Sequence, residues 1–222
     1  MEQTPVHEHH NPDLLRLIPV ASRSLIEIGC SSGALAREFK KVNSACHYFG
    51  VDIDPGFVDL ARRHCDAVAS LDVEQADDSF FIDQSGRDCW IFGDALEHLN
   101  DPWRLLRKIR RCLPSNGCVV ACIPNAQHWS VIVKLCIGEF RYQDSGLLDK
   151  THLRWFTRKT IIDLFSSCGF RIELAVQRVF HEPPRDRFLP LIGQIAKACG
   201  EDPADAVNDA IPLQYVVRAV PA

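Results

Sequence analysis

The feature that most constrains this chain is a glycine-bearing turn near its beginning. An apolar run at residues 25–28 leads through Gly29 and Gly33 into a segment with helical periodicity. Two glycines four residues apart let the backbone turn tightly and let a ligand approach it closely. The next predicted strand ends at Asp52, where a carboxylate can accept hydrogen bonds from both hydroxyls of a ribose. Together these features predict a site for a nucleoside-containing cofactor.

The same turn lacks the glycine pattern that a dinucleotide requires. Its middle positions are Cys30, Ser31 and Ser32, so there is no G-x-G-x-x-G to admit a pyrophosphate. The sequence also lacks a G-x-x-x-x-G-K-S/T phosphate loop. A nicotinamide oxidoreductase is therefore disfavoured, and a nucleoside cofactor without phosphate is favoured.

Hydrophobic patterns divide the chain into alternating strands and helices. We predict strands at 24–28, 47–51, 67–71, 88–92, 117–123, 170–179 and 213–220. We predict helices at 12–18, 33–41, 55–64, 102–112, 157–168 and 189–199, the helix at 157–168 burying Ile161, Ile162, Leu164 and Phe165. Such alternation indicates a doubly wound α/β fold, whose ligands bind outside the carboxyl ends of the parallel strands.

The regular alternation stops after the fifth strand. Residues 124–157 form a long segment, apolar in its first part and polar with glycines in its second, which we interpret as a lid insertion on the acceptor side. Residues 1–23 form an N-terminal arm and short helix. We draw no domain boundary, so residues 1–222 are expected to be one domain.

Composition excludes several classes of protein. The 222 residues carry a net charge of −4 and no apolar run long enough to span a bilayer, so we expect neither nucleic-acid binding nor stable membrane insertion. The basic run between residues 104 and 111 is interpreted as a solvated helix face. The ten cysteines show no C-x-x-C spacing, which is typical of reduced thiols. With no apolar leader, we expect a cytoplasmic protein; its oligomeric state stays open, a homodimer included.

Three later segments carry a family resemblance. Residues 88–102 contain D-A-L-E-H-L-N-D-P, residues 113–120 read L-P-S-N-G-C-V-V, and residues 149–157 read D-K-T-H-L-R-W-F-T. In this order, and after E-I-G-C-S-S-G, they resemble class I S-adenosylmethionine-dependent methyltransferases of the small-molecule type. The similarity is to ubiquinone-biosynthesis O-methyltransferases and to bacterial relatives associated with glycosyltransferases. The family implies a mostly parallel, seven-stranded Rossmann-like sheet with an antiparallel last strand.

The resemblance also implies a donor site. S-adenosylmethionine would bind there and leave as S-adenosylhomocysteine. In this family's arrangement the glycine turn contacts the methionine part, Asp52 the ribose, and Asp72 and Val73 the adenine. The residues expected to bind the cofactor are Glu27, Gly29, Cys30, Ser31, Gly33, Asp52, Ile53, Asp72, Val73, Gly93 and Asp94.

The acceptor side is less defined. An oxygen acceptor must lose a proton, and His98 and His152 are the candidate catalytic bases because imidazole titrates near neutral pH. The alternatives are that His98 packs the following helix and that His152 holds the lid. Trp129, Arg154 and Trp155 are expected to bind the substrate.

Two separate sets of residues raise the question of a metal site. Asp94, Glu97 and His98 share a face if helical, and a set of this kind binds a divalent ion in some quinone O-methyltransferases. Because related sequences carry such residues without metal, we expect no metal cofactor. His7, His9 and His10 with Glu8 are interpreted as a solvated arm or as a flap over the cofactor.

The sequence therefore predicts methyl transfer to an oxygen or nitrogen of a small molecule by in-line displacement. A sugar, a glycolipid precursor or a secondary metabolite is the expected acceptor class. The alternative is a non-catalytic protein of the same fold that binds the cofactor or a partner.

Overall fold

The computed structural model describes residues 8–222, which form one seven-stranded sheet with helices on both faces. The strands are β1 Ser24–Ile28, β2 His47–Asp52, β3 Ala67–Ser70, β4 Cys89–Gly93, β5 Cys118–Pro124, β6 Phe170–Arg178 and β7 Gln214–Pro221. The helices are α1 Pro12–Leu17, α2 Ala34–Val42, α3 Pro55–Ala61, α4 Asp78–Asp83, α5 Pro102–Cys112, α6 Trp129–Cys136, α7 Arg158–Ser167, α8 Leu189–Ala198 and α9 Pro203–Asp209.

The order of the strands confirms the predicted fold class. It is β3-β2-β1-β4-β5-β7-β6, and only β7 runs antiparallel to its neighbours. The chain moves outwards from β1 to β3, then returns to place β4 on the other side of β1. This reversal opens a crevice beyond the ends of β1 and β4, the place where open α/β sheets bind ligands.

Strand β5 illustrates how the sheet is buried on both faces. Val119, Ala121 and Ile123 belong to one apolar cluster, which α4, α5 and α7 complete. The intervening residues Cys118, Val120 and Cys122 belong to the other cluster, which α1 and α2 complete. Alternate residues of a strand point to opposite faces, so a continuous apolar run is needed where both faces are covered.

The structure differs from the prediction in three helices and one buried residue. Neither α4 nor α9 was predicted, and the apolar stretch that opens the lid segment forms α6. Helices of six to eight residues offer about two turns, too few for a clear periodic pattern. The prediction that Ile162 is buried in α7 was wrong, since this side chain is 44% exposed. Ile161, Leu164 and Phe165 already cover the contact between α7 and the core.

The basic face of α5 is less solvated than predicted. Lys108 lies 3.0 Å from Asp78 and 4.8 Å from the centre of the Phe81 ring, and Arg110 donates a hydrogen bond to the Gly169 carbonyl. Residues 8–222 contain no helix with the length and apolar character to cross a membrane. All ten cysteines fall within the described chain and are free thiols; six are buried, and Cys136 and Cys199 are exposed.

Candidate active site

Backbone hydrogen bonds hold the glycine turn against the end of β2. The Val51 carbonyl accepts from the N–H groups of Gly29 and Cys30, at 2.8 and 3.1 Å. Gly29 has a φ of +76°, and Ser31, a residue with a side chain, has a φ of +47°. Backbone in this region is strained for most residues, so the turn depends on its anchors.

Asp52 links this turn to the end of β2. One of its carboxylate oxygens accepts the N–H of Ser31 at 2.8 Å, and the other accepts the N–H of Asp54 at 3.0 Å. Each oxygen retains a second lone pair, so two ligand hydroxyls can still be bound. Burial raises the pKa of Asp52, and the backbone donors oppose that shift.

A cavity of about 520 Å³ opens beyond these strand ends. It brings together ten of the eleven residues predicted to bind the cofactor, and both candidate bases. They are Glu27, Gly29, Cys30, Ser31, Asp52, Ile53, Asp72, Val73, Gly93 and Asp94, with His98 and His152.

Gly33 does not line the cavity. A Cβ atom there would lie 3.1 Å from the Ala61 Cα, and its φ is +75°. Its glycine is therefore required where α2 begins against α3, which makes it a packing residue in the structure.

The three residues predicted to bind substrate also lie outside the cavity lining. Trp129 donates its indole N–H to Glu182 and stacks on Phe188. The other two belong to the segment before α7: Arg154 donates to the Asn100 carbonyl, and Trp155 packs against Phe140. A sequence pattern marks aromatic residues as buried or clustered, but it does not show on which side of a loop they lie.

Glu27 is a buried carboxyl group on the donor side. It is 4% exposed and accepts a 2.8 Å hydrogen bond from the Tyr48 hydroxyl. Burial raises the pKa of Glu27 to about 8, the Tyr48 hydrogen bond opposes this shift, and the neighbouring Asp52 adds to it. Close to neutral pH this group therefore exchanges a proton readily, and a nearby cation would favour its charged form.

On the other side of the cavity, a relay of hydrogen bonds orients His98. The Thr151 hydroxyl donates to Asp149 Oδ1 at 2.6 Å, and His98 Nδ1 lies 3.0 Å from the same hydroxyl. Since the hydroxyl proton is used by Asp149, Nδ1 of His98 is the donor and Nε2 is left as the basic nitrogen. Burial acts to raise the pKa of Asp149, but the Thr151 donors and the two histidines outweigh it, so the pKa is lowered.

His152 and Glu97 complete this side. His152 Nε2 lies 4.0 Å from a carboxylate oxygen of Glu97, and the His98 and His152 rings meet edge to face. Burial, followed by repulsion from His98, lowers the pKa of His152. The loop is held in place because Leu153 and Arg154 donate their backbone N–H groups to the Glu97 carbonyl.

The residues that could bind a metal ion in the structure differ from the predicted set of Asp94, Glu97 and His98. Asp94 accepts a hydrogen bond from the Gln214 amide. A ring nitrogen of His98, a ring nitrogen of His152 and a carboxylate oxygen of Glu97 lie within 4.8 Å of one another. His152 therefore takes the third place that the spacing assigned to Asp94.

Sequence reasoning missed several residues of this cavity. Asp149 and Thr151 stand in the segment that contains His152, so their motif was visible but their roles were not. Gln214 reaches Asp94 from β7, 120 positions away, and no local pattern indicates that contact. Ser145, Gly146 and Leu147 also line the cavity, which supports the interpretation of this part of the segment as a cover.

The N-terminal arm lies partly at the cavity. His9 and His10 are among the lining residues, and Glu8 accepts a hydrogen bond from Arg37 on α2 at 3.0 Å. This placement matches the flap hypothesis for these two histidines. His7 lies outside the described residues.

Comparison with solved structures shows which class of fold this is. Magnesium protoporphyrin IX methyltransferase of Synechocystis, solved with S-adenosylhomocysteine, has a TM-score of 0.61 at 12% identity, over 95% of this chain and 80% of that one. A possible histamine N-methyltransferase of Thermotoga maritima has a TM-score of 0.60 at 18% identity, over 94% and 86%. The fold is that of S-adenosylmethionine-dependent methyltransferases.

The sequence itself places the chain in a family. Residues 8–175 match the family model described as a methyltransferase domain, and the chain belongs to that family. A curated relative, malonyl-[acyl-carrier protein] O-methyltransferase of Hahella chejuensis, is 22% identical over 152 residues. The match covers 68% of this chain and about half, 52%, of that relative. The predicted membership in the methyltransferases is confirmed.

Proposed function

We propose that this protein transfers a methyl group from S-adenosylmethionine to an oxygen or nitrogen of a small molecule. One observation carries the proposal: the glycine turn and Asp52 are joined by direct hydrogen bonds at one end of an open cavity, as a nucleoside site requires. Family membership and the fold support the same activity. A sugar, a glycolipid precursor or a secondary metabolite remains the proposed class of acceptor.

The donor residues suit a cationic nucleoside without phosphate. A Cβ on Gly29 would lie 3.3 Å from Ala95, so a side chain at this position would crowd the wall of the cavity. Asp52 would bind the ribose hydroxyls, and Ile53, which is 42% exposed, would cover the adenine. Asp72 accepts the Glu74 N–H with one oxygen, and its other oxygen would bind the adenine amino group.

The remaining donor contacts are proposed for the methionine part. Gly93 and Asp94 would lie beside it, with Ser31 at its polar end. Glu27 would act on its ammonium group by charge. When bound, the cofactor supplies an activated methyl group on a positively charged sulfur.

The residues across the cavity would receive the acceptor. His98, with its Nδ1 held by Thr151, presents Nε2 as a base, and His152 lies beside it. In-line transfer requires alignment more than covalent catalysis, so holding both reactants in one cavity supplies much of the rate enhancement. General-base assistance typically raises the reaction rate by a further factor of about 10²–10⁴.

Calorimetric titration tests the donor. We expect S-adenosylmethionine and S-adenosylhomocysteine to bind with a stoichiometry of one and NAD not to bind. Failure of both sulfur nucleosides to bind would contradict the proposal. Incubation of methyl-labelled cofactor with an extract of the source organism, followed by mass spectrometry, would then identify the acceptor. Binding without transfer to any component of the extract would favour a non-catalytic cofactor-binding protein.

A further inference from the structure

The described residues that line the cavity include acidic side chains and no basic residue other than histidine. Among its described lining residues there is no lysine or arginine, whereas acidic side chains occur along its whole length. The methyl donor has a net positive charge and would face the acidic residues on its own side of the cavity. The acidic residues are Glu27, Asp52, Asp72 and Glu74 on the donor side, and Asp94, Glu97 and Asp149 on the acceptor side.

Glu97 is the exceptional member of the second group. It is 1% exposed, and neither of its carboxylate oxygens has a hydrogen-bond partner within the described chain. Burial, together with the nearby Asp94 and Asp149, raises the pKa of Glu97 well above its usual range. An unsatisfied buried carboxyl group is costly for a fold, and its retention on a cavity wall points to a ligand that satisfies it.

The chemistry of that ligand follows from the charges. A carboxylate or phosphate acceptor would meet three acidic side chains and no fixed cation. A neutral hydroxyl would pair with the protonated form of Glu97, but it would not offset the negative charges of Asp94 and Asp149. An ammonium group would donate to both Glu97 oxygens and offset the cluster's negative charge.

We propose that the methyl acceptor is a small molecule with a primary or secondary amine, which Glu97 binds as the ammonium ion. This inference rests on the proposed methyl transfer and narrows it from oxygen or nitrogen to nitrogen. It also separates this chain from a protein whose acceptor is a free carboxylate.

The neighbouring imidazoles complete the reaction. The ammonium gives one proton to Nε2 of His98, and the freed nitrogen lone pair forms the N–CH₃ bond as the S–CH₃ bond breaks. The products are the methylated ammonium and S-adenosylhomocysteine, and the imidazolium returns its proton to solvent. Glu97, His98 and His152 have suitable positions because one ligand atom from each lies within 4.8 Å of the other two.

The same three atoms could bind a divalent ion, so the experiment must separate the two occupants. The amine is favoured because the cluster is part of the wall of a cavity of about 520 Å³, where the acceptor must lie beside the donor. An amine on the acceptor itself satisfies Glu97 and places the nucleophile in a single step.

The test uses compounds that differ only in the reacting group. Benzylamine, benzyl alcohol and benzoate form one set, and glucosamine, glucose and glucuronate form the other. Binding is measured by calorimetry and by thermal shift with saturating S-adenosylhomocysteine, and transfer is measured by mass spectrometry with S-adenosylmethionine. We expect an amine of at least one set to bind and to be methylated on nitrogen, and the matched carboxylates not to bind.

The variant Glu97→Gln keeps the shape and removes the charge. It should weaken amine binding about 30-fold, as expected for loss of one partner of a buried charge pair, and leave cofactor affinity within two-fold of the parent. Glu173→Gln, a carboxylate on β6 outside the cavity lining, is the control and should change neither amine binding nor cofactor affinity. The carboxyl group of Glu97 makes no hydrogen bond in the described chain, so the variant should fold, with a melting temperature equal to or above the parent's.

Several outcomes would overturn the inference. Amine binding that is equal in parent and Glu97→Gln, the absence of binding by both amines, or faster transfer to the matched alcohol would each do so. Loss of turnover on chelation that Mn²⁺ or Zn²⁺ restores would assign the site to an ion. If S-adenosylmethionine itself does not bind, the proposed function fails, which is a different result.

Discussion

The donor side and the acceptor side of the cavity are held together in different ways. On the donor side, most of the hydrogen bonds involve backbone groups: the Val51 carbonyl holds the glycine turn, and Asp52 accepts two backbone N–H groups. On the acceptor side, the contacts join side chains from distant segments, such as Thr151 with His98 and Gln214 with Asp94. A site held by backbone hydrogen bonds keeps its shape when single side chains change. A site held by contacts between side chains can be altered by one substitution.

This difference predicts which property each side controls. Substitutions on the donor side should change cofactor affinity. Substitutions on the acceptor side should change turnover or acceptor binding and leave cofactor affinity intact. The two sets of effects can be measured separately, by calorimetry and by initial rates.

The largest effect is expected at Asp52. Asp52→Asn removes the charge that would bind two ribose hydroxyls and weakens an acceptor for the Ser31 N–H. We expect the affinity for S-adenosylmethionine to fall about 100-fold, since hydrogen bonds to a charged group are worth about 1.5–3 kcal/mol each. Calorimetry of the purified variant measures this. Asp59→Asn, an exposed carboxylate on α3, is the control, and an equal loss there would contradict the assignment.

The next largest effect on cofactor affinity is expected from a substitution at the glycine turn. Gly29 and Gly86 have positive φ values of +76° and +85°, but a Cβ at Gly29 meets Ala95 at 3.3 Å and one at Gly86 meets nothing within 4 Å. Alanine at either position should cost about 1–2 kcal/mol of stability through the left-handed conformation. Only Gly29→Ala should also weaken cofactor binding, by about 30-fold, because its methyl group overpacks the turn.

Chemical denaturation and calorimetry on the two variants separate strain from binding. If Gly86→Ala weakens the cofactor as much as Gly29→Ala does, the loss comes from general destabilisation, and the turn has no special part in binding.

A smaller effect is expected on the acceptor side. Thr151→Val removes the hydroxyl that joins Asp149 to His98, so Nδ1 of His98 keeps only the Thr151 carbonyl, at 3.2 Å, and the ring is held less firmly. We expect kcat to fall about ten-fold, the value of one hydrogen bond of about 1.4 kcal/mol, with cofactor affinity unchanged. Thr151→Ser keeps the hydroxyl and should retain most of the activity. An equal loss in both variants would show that the methyl group of Thr151, and not its hydroxyl, matters.

The same contrast explains how much could be predicted from the sequence. The donor residues follow their strands within a few positions, and parallel strands align their ends, so the order of the strands brings Gly29, Asp52 and Asp72 together. The strand boundaries were predicted to within one residue for the strands that carry them. Gly33 was predicted beside the cofactor and lies outside the cavity lining, because a glycine required for packing against α3 has the same sequence signal as one that faces a ligand.

The acceptor side depends on the path of a loop, which hydrophobic periodicity does not describe. The motif around His152 predicted a functional segment, but only the structure places its Thr151 against His98, 53 positions earlier. Trp129 and Trp155 were predicted to bind the substrate, and the structure shows Trp129 packed against Phe188 and Trp155 packed against Phe140 and His152. Side-chain contacts between segments of this kind have no local signature.

The smallest expected effect concerns a proton on the donor side. Glu27 has a pKa raised to about 8, so it is mostly protonated at pH 7 in the free protein. A cationic donor bound nearby favours the carboxylate, and binding therefore releases a proton. Because the deprotonated form is the one that binds, affinity rises with pH, by about five-fold from pH 7 to pH 8, and then levels off above pH 8.

Calorimetry at pH 7 in phosphate and in Tris measures the release directly, since the two buffers differ in ionisation enthalpy. About one proton should be released in the parent and none from Glu27→Gln. Tyr48→Phe supplies the sharper control: the Tyr48 hydrogen bond lowers the pKa of Glu27, so its removal should move the rise in affinity to higher pH. A binding enthalpy that is the same in both buffers would mean that the donor's positive charge does not act on Glu27, and that this carboxyl group only braces β1 against β2.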